Sequence, residues 1–145
     1  MEYSRGSIGR IFLVKFEHGD NLLEEIKKLI NKENISAATV SFIGALSGGD
    51  IVTGPKETKL PPEPNFMTFK DGREVIGFGT IIKKDGEPSV HVHSSLGRGE
   101  DVLTGCLRNN VEVFVTIEAV ITELNDVNAT RKEDEKTGIN LLAFE

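Results

Sequence analysis

The sequence has one cysteine, Cys106, so no internal disulfide can form, and a reducing compartment is expected. No apolar run approaches the roughly eighteen residues that a membrane-spanning helix needs. The opening stretch, MEYSRGSIGR, lacks the apolar core of a signal peptide, and the final residues carry no lipidation motif. A cytoplasmic location is expected. Positive charge is also in short supply, since 17 Lys and Arg face 23 Asp and Glu for a net charge of −6. Such a chain repels a phosphate backbone. The basic pairs Lys27-Lys28, Lys83-Lys84 and Arg131-Lys132 each lie beside acids, and none alternates with aromatics as a base-stacking surface requires. Direct nucleic-acid binding by the isolated chain is therefore disfavoured, while binding through an assembled basic patch stays open.

Apolar residues make up 38% of the chain and charged residues 28%, which is the composition of a soluble globular protein. With 145 residues it can build a core without disulfide or metal staples, and a single domain over 1–145 is expected. No internal repeat is evident. Residues 9–17, GRIFLVKFE, are apolar at both odd and even positions and read as a strand buried on both sides. In NLLEEIKKLINKE the apolar stripe Leu22, Ile26, Leu29 and Ile30 predicts a helix. Asn21 or Asp20 is its cap, with Glu24 at capping-box spacing and facing Lys28 one turn on.

ISAATVSFIGALSGGDIV reads as strand interrupted at Gly44, where a missing side chain suits a bulge or close backbone packing. Four of the five prolines fall in 53–72, predicting an irregular segment that ends in a short edge strand. EVIGFGTII, the turn KKDGEP and SVHVH form a hairpin, with Asp-Gly at its tip. VEVFVTIEAVITEL is the longest strand signal, with Val111, Val113, Val115, Ile117, Ala119 and Ile121 on one face and Glu112, Thr116 and Glu118 on the other. The charged run RKEDEK precedes the apolar tail GINLLAF. One helix among many strands predicts an α+β fold, with a largely antiparallel sheet and its one main helix near the N-terminus.

Histidine is nearly as scarce as cysteine, at three residues. Two of the three, His91 and His93, stand one residue apart in PSVHVHSSLGRGEDVLTGCL, which also contains Cys106. On a strand, positions i and i+2 share a face at roughly 7 Å, so the two imidazoles can converge on one ion from one side. Cys106 follows a glycine-rich turn and can return to meet them. Two imidazoles and a thiolate suit Zn²⁺, and three protein ligands leave a fourth position for water or substrate, as catalytic zinc sites do. Ser89 and Ser94 are neighbours in sequence. The same residues also admit a plainer reading, two half-exposed histidines on a polar face near a buried unreactive thiol.

Five segments in order, FLVKFEHGDNLLEEI, SFIGALSGGDI, GTIIKKDGEPSVHVHSSLG, TIEAVITEL and RKEDEKTGINLL, resemble the plant-and-prokaryote conserved (PPC) domain across nearly the whole chain. The resemblance implies an α+β domain that associates as a homotrimer. In that family the His-x-His strand is usually followed by Gly-Gly-His-Leu, whereas this chain reads Thr104-Gly105-Cys106-Leu107, so cysteine replaces the third histidine. The fold of the family is similar to that of acetolactate decarboxylase, which holds zinc with three histidines that include a His-x-His pair. That similarity implies a metal site of His91, His93 and Cys106 and no particular reaction.

Glu118 is the candidate catalytic carboxylate, as a general base or as a group orienting a ligating histidine, with an exposed strand position or an interchain ion pair as the plainer reading. Lys15 and Arg98 are candidates for attracting an anion, with a surface ion pair as the plainer and favoured reading of each. His18 reads as a turn residue. Three functions compete: a trimeric metal- or small-ligand-binding module with zinc, a DNA-associated protein as relatives are commonly described, and a structural interaction module. For the second, plant relatives carry a separate AT-hook with the core Arg-Gly-Arg-Pro, and Arg5-Gly6-Ser7 is the nearest approach here. For the third, the strand at 111–121 and the tail GINLLAF would bury a subunit interface.

Overall fold

Apolar residues alternate with period two along most of the chain, and the computed structural model, which describes residues 1–144, is correspondingly rich in strands. In order these are β1 (Ser7–Glu17), then the helix α1 (Leu22–Lys32), β2 (Ala37–Pro55), β3 (Pro64–Phe69), β4 (Arg73–Lys84), β5 (Glu87–Arg98), β6 (Asp101–Leu107), β7 (Glu112–Asn125), β8 (Ala129–Asp134) and β9 (Ile139–Phe144). The expected α+β class is corrected by this content, which is 65% strand and 8% helix, a mainly-β fold. Only residues 22–32 carry a helical apolar stripe long enough to form a helix. That helix is not at the N-terminus either, because an eleven-residue strand precedes it.

The main sheet is antiparallel and runs β1-β7-β2-β4-β5-β6, with β3 added on β2. The 19-residue β2 is used twice. Its first half lies between β7 and β4, and its second half pairs with β3 and β6. Because Ile51 and Val52 of β2 meet Leu107 and Cys106 of β6, the strands β2, β4, β5 and β6 form a closed circuit. Gly105 allows that closure, since a Cβ there would stand 2.1 Å from the Val52 carbonyl oxygen.

The register between β2 and β7 shifts at Gly44, whose φ of 139° and whose contact with the Thr116 carbonyl leave no room for a side chain. Opposite it, Val115 adopts φ 62°, a conformation costly for a β-branched residue. Val115 is thereby turned outward to solvent, while Val111, Val113, Ile117, Ala119 and Ile121 stay in the core. The apolar face predicted for this strand thus holds except at the bulge. Its buried side is consumed by the protein's own core, which removes it as the subunit interface that a structural module would use.

α1 lays Leu22, Leu23, Ile26 and Ile30 into the core cluster with Val40, Val92, Leu96, Ile117 and Ile121. Each such burial stabilises by about 1.5–3 kcal/mol. The Asn21 side chain caps the helix, accepting the Glu24 N–H at 3.3 Å, a contribution of about 1 kcal/mol. The ion pairs on its surface are Lys27 with Glu24 and Lys28 with Glu25, one turn at i,i+3 rather than the expected Glu24–Lys28. β1 is buried on one face only, through Phe12, Val14 and Phe16, while Ile11 and Leu13 are exposed. Among the described residues no helix is long and apolar enough to cross a membrane.

The charged run and apolar tail form a separate hairpin, β8–β9. It is tied to β4 by Thr130 donating to the Lys83 carbonyl (3.4 Å), by Arg131 donating to Thr80 Oγ1 (3.0 Å) and by Lys84 donating to Asn140 Oδ1 (2.8 Å).

Candidate metal centre

Two tight turns determine where the site residues fall. Asp85 and Gly86, both with positive φ, connect β4 to β5, as the Asp-Gly pair predicts. Gly99, with φ 60°, and Glu100 connect β5 to β6. Counting five residues back and five forward from Arg98 and Asp101, which flank this second turn, brings His93 opposite Cys106. The first turn brings Phe78 opposite His93 and Thr80 opposite His91. Directly paired residues point to one side of a sheet, so Thr80, Phe78, both histidines and Cys106 share the outward face.

His91, His93 and Cys106 each place a ligand atom within 4.8 Å of the other two. The two imidazoles stand edge to face with centroids 5.0 Å apart. Both histidines are exposed, while Cys106 is 5% exposed. Donors about 2.0–2.3 Å from a tetrahedral zinc would stand roughly 3.3–3.8 Å apart, so the three donors would have to draw together by up to about 1.5 Å to share an ion. Two nitrogens and one sulfur are a fitting donor set for zinc.

Electrostatics prepare the histidine and oppose the thiolate. Partial burial lowers the pKa of His91, with Arg131, His93 and Arg108 adding to the effect, which keeps its lone pair free at neutral pH. Burial raises the pKa of Cys106, while Arg108 and Arg131 pull it back down. A metal ion held by these residues would supply the charge that favours the thiolate form of Cys106.

The other predicted site residues lie elsewhere. Glu118 is on β7, with β2 and β4 between it and β5, so it stands roughly 14 Å from the histidine strand at ordinary strand spacing. It faces Lys15 across β1 and Ile43 across β2, and the structure does not bring it to the cluster. Lys15 pairs with Glu17 at 2.8 Å and Arg98 with Asp71 at 3.2 Å. His18 sits at the turn, accepting the Val115 N–H through Nδ1 at 3.4 Å and meeting the Phe114 ring edge-on. Ser94 points inward and is buried, whereas Ser89 shares the histidine face and lines the adjoining cavity.

That cavity, about 920 Å³, lies between the sheet and the β8–β9 hairpin, and His91, Arg108 and Arg131 all line it. The two arginines were not among the residues expected at the site. Arg131 reads in sequence as part of a solvated charge run. The alternation of ATRKED along a strand is the signal that places it on an inward face beside Ala129.

Residues 3–125 match the model of the Plants and Prokaryotes Conserved (PCC) domain, the family called PPC above. The chain belongs to this family. A PPC protein from Pyrococcus horikoshii has the same fold, with 34% identity and a TM-score of 0.86 over 100% of this chain and 97% of that one. A protein from Archaeoglobus fulgidus, named as metal-containing, superposes with a TM-score of 0.88 at 26% identity over 99% of each chain. A Ralstonia eutropha protein named as a candidate DNA-binding protein shares the fold at 24% identity, with a TM-score of 0.77 over 92% of this chain and 90% of that one. No curated protein matches the chain significantly in sequence.

Proposed function

We propose that this PPC protein is a cytoplasmic metal-binding module in which His91, His93 and Cys106 hold a zinc ion, leaving one coordination position open to a small ligand. The observation that carries the reading is the mutual approach of the three donor atoms within 4.8 Å on one sheet face. The metal-containing relative from Archaeoglobus fulgidus supports it, and the expected similarity of the family fold to acetolactate decarboxylase points the same way. That similarity bears on the metal and not on decarboxylation. Bound zinc would act as a Lewis acid toward an oxygen in the open position. The chain's own contribution is to fix the donors through two hairpin registers and to keep His91 neutral.

The module assembles as a trimer in this reading. Ile43, Ile76 and Phe78, on adjacent strands, are 57%, 70% and 61% exposed, an apolar patch that a second copy of the chain would cover. DNA association is the second reading, resting on the name of the Ralstonia eutropha relative. The net charge of −6 assigns any such role to partners rather than to direct phosphate contact.

Zinc analysis of protein purified without a histidine tag tests the main reading. About one ion per chain is expected for the native protein and a negligible amount for the double variant His91→Ala, His93→Ala. Equal, negligible zinc in both would remove it.

A further inference from the structure

The two buried arginines of this protein are treated differently. Arg73, 7% exposed, is neutralised by Asp71 and by Asp101 at 2.7–2.9 Å. Arg131, 8% exposed, has no carboxylate partner among the described residues. Its Nη2 donates to the neutral hydroxyl of Thr80, and its Nε is buried without a partner among the described residues. A guanidinium kept from water without a counterion is costly, and burial accordingly lowers its pKa from the ordinary value. Arg131 also lines the 920 Å³ cavity, together with a second arginine, Arg108.

Much of the remaining wall is apolar, with Thr80, Ser89, Thr137 and Asn140 as polar members. Val52, Phe66, Ile139 and Leu141 present apolar surface from β2, β3 and β9. Thr80, which holds Arg131, pairs directly with His91. The cavity thus combines two cationic groups with apolar surface next to His91 of the cluster, and the hairpin contributes to both through Arg131, Ile139 and Leu141. Pockets of this size with a few convergent polar groups are the usual form of small-molecule sites.

We infer that the cavity binds a small organic acid, its carboxylate held by Arg131 and Arg108 and its apolar substituent lodged against the β8–β9 hairpin. A carboxylate matches the guanidinium fork and supplies the missing acceptor for Nε. The inference deepens the metal-site reading, because His91 belongs to both the cluster and the cavity wall, so a carboxylate held here would lie beside the residues that would hold the metal.

Calorimetric titration of zinc-loaded and chelator-stripped protein with phenylacetate, benzoate and isovalerate tests it, with phenylacetamide as the uncharged control. At least one acid is expected to bind, with the amide about tenfold weaker or more, as loss of a charged hydrogen bond costs. Arg131→Gln is expected to weaken the acid by a similar factor and leave the amide unchanged, with Arg131→Lys intermediate. Arg108→Gln, at an exposed position, is expected to weaken it severalfold and decides the matter if the Arg131 variants do not fold. No binding by any of the three acids, equal binding of acid and amide, or affinity indifferent to both arginines would overturn the inference. Arginine-dependent binding in the stripped protein upholds the anion site even if the zinc reading fails. Binding that requires zinc but ignores the arginines makes the acid a metal ligand only, overturning the inference while leaving the zinc reading intact.

Discussion

His93 and Cys106 are direct cross-strand partners on β5 and β6. Their relationship is set by a two-residue turn, so insertion of one residue in that turn would move Cys106 off the histidine face. Cys106 itself is nearly buried, between His93 of β5 and Val52 of β2, at the seam where the strand circuit closes.

If Cys106 is a zinc ligand, its chemistry and not its volume matters. Cys106→Ser keeps the size but replaces a soft thiolate by a hydroxyl that rarely ligates zinc, and should lower zinc affinity by at least about tenfold. Cys106→His restores the three-histidine pattern and should retain binding. Competition with a chromogenic chelator reads both. Equal affinity in the serine variant would remove the sulfur from the coordination shell.

Stability in the metal-free state should depend on pH through His91. Its pKa is lowered in the fold from 6.5, so between the lowered value and about 6.5 the unfolded chain binds the extra proton. The stabilisation is present above about pH 6.5 and is lost as pH falls through the folded value. Urea unfolding with chelator present, at about pH 7.5 and about pH 5.5, should show a smaller acid-induced loss for His91→Gln than for the native protein. Identical losses would show that the imidazole is not desolvated.

Arg73 anchors the turn that sets the site register, because Asp101 is the first residue of β6 and Asp71 precedes β4. Arg73→Met retains the aliphatic stem and removes both pairs. Asp71 and Asp101 are 30% and 65% exposed, so water can solvate them once the guanidinium is gone. The expected loss is therefore about 1–3 kcal/mol, below that for stranding a fully buried charge. Thermal unfolding should register it as a drop of about 3–10 °C.

The exposed row Ile76 and Phe78 on β4 predicts a self-association surface continuous with the histidine face. Sedimentation of the native chain at about micromolar concentration should report a trimer, and Phe78→Asp should shift it toward monomer. A native monomer would leave this apolar face without a partner.

Much of this architecture is legible in local sequence. The Asp85-Gly86 turn, the Asn21 cap, the stripe of α1 and the bulge at Gly44 all follow from short-range geometry, and so does the sharing of one face by His91 and His93. The fold class was less legible because one clear helix in the sequence weighs more than its eleven residues do in the structure. β1 departs from the expected burial on both sides, with Ile11 and Leu13 exposed, because a strand apolar on both faces has the same pattern whether its second face meets its own core or the outside.

By itself the sequence determined which donors exist, that the two imidazoles share one face and that a glycine-rich turn lets Cys106 return toward them, because period-two pleating and turn chemistry are local. Only the tertiary structure decided that Glu118 stands three strands away and that Arg131 is buried beside Thr80 with no carboxylate partner among the described residues. Those facts depend on strand order and on where a late hairpin folds over the sheet, contacts between residues 47 or more positions apart that no local pattern encodes.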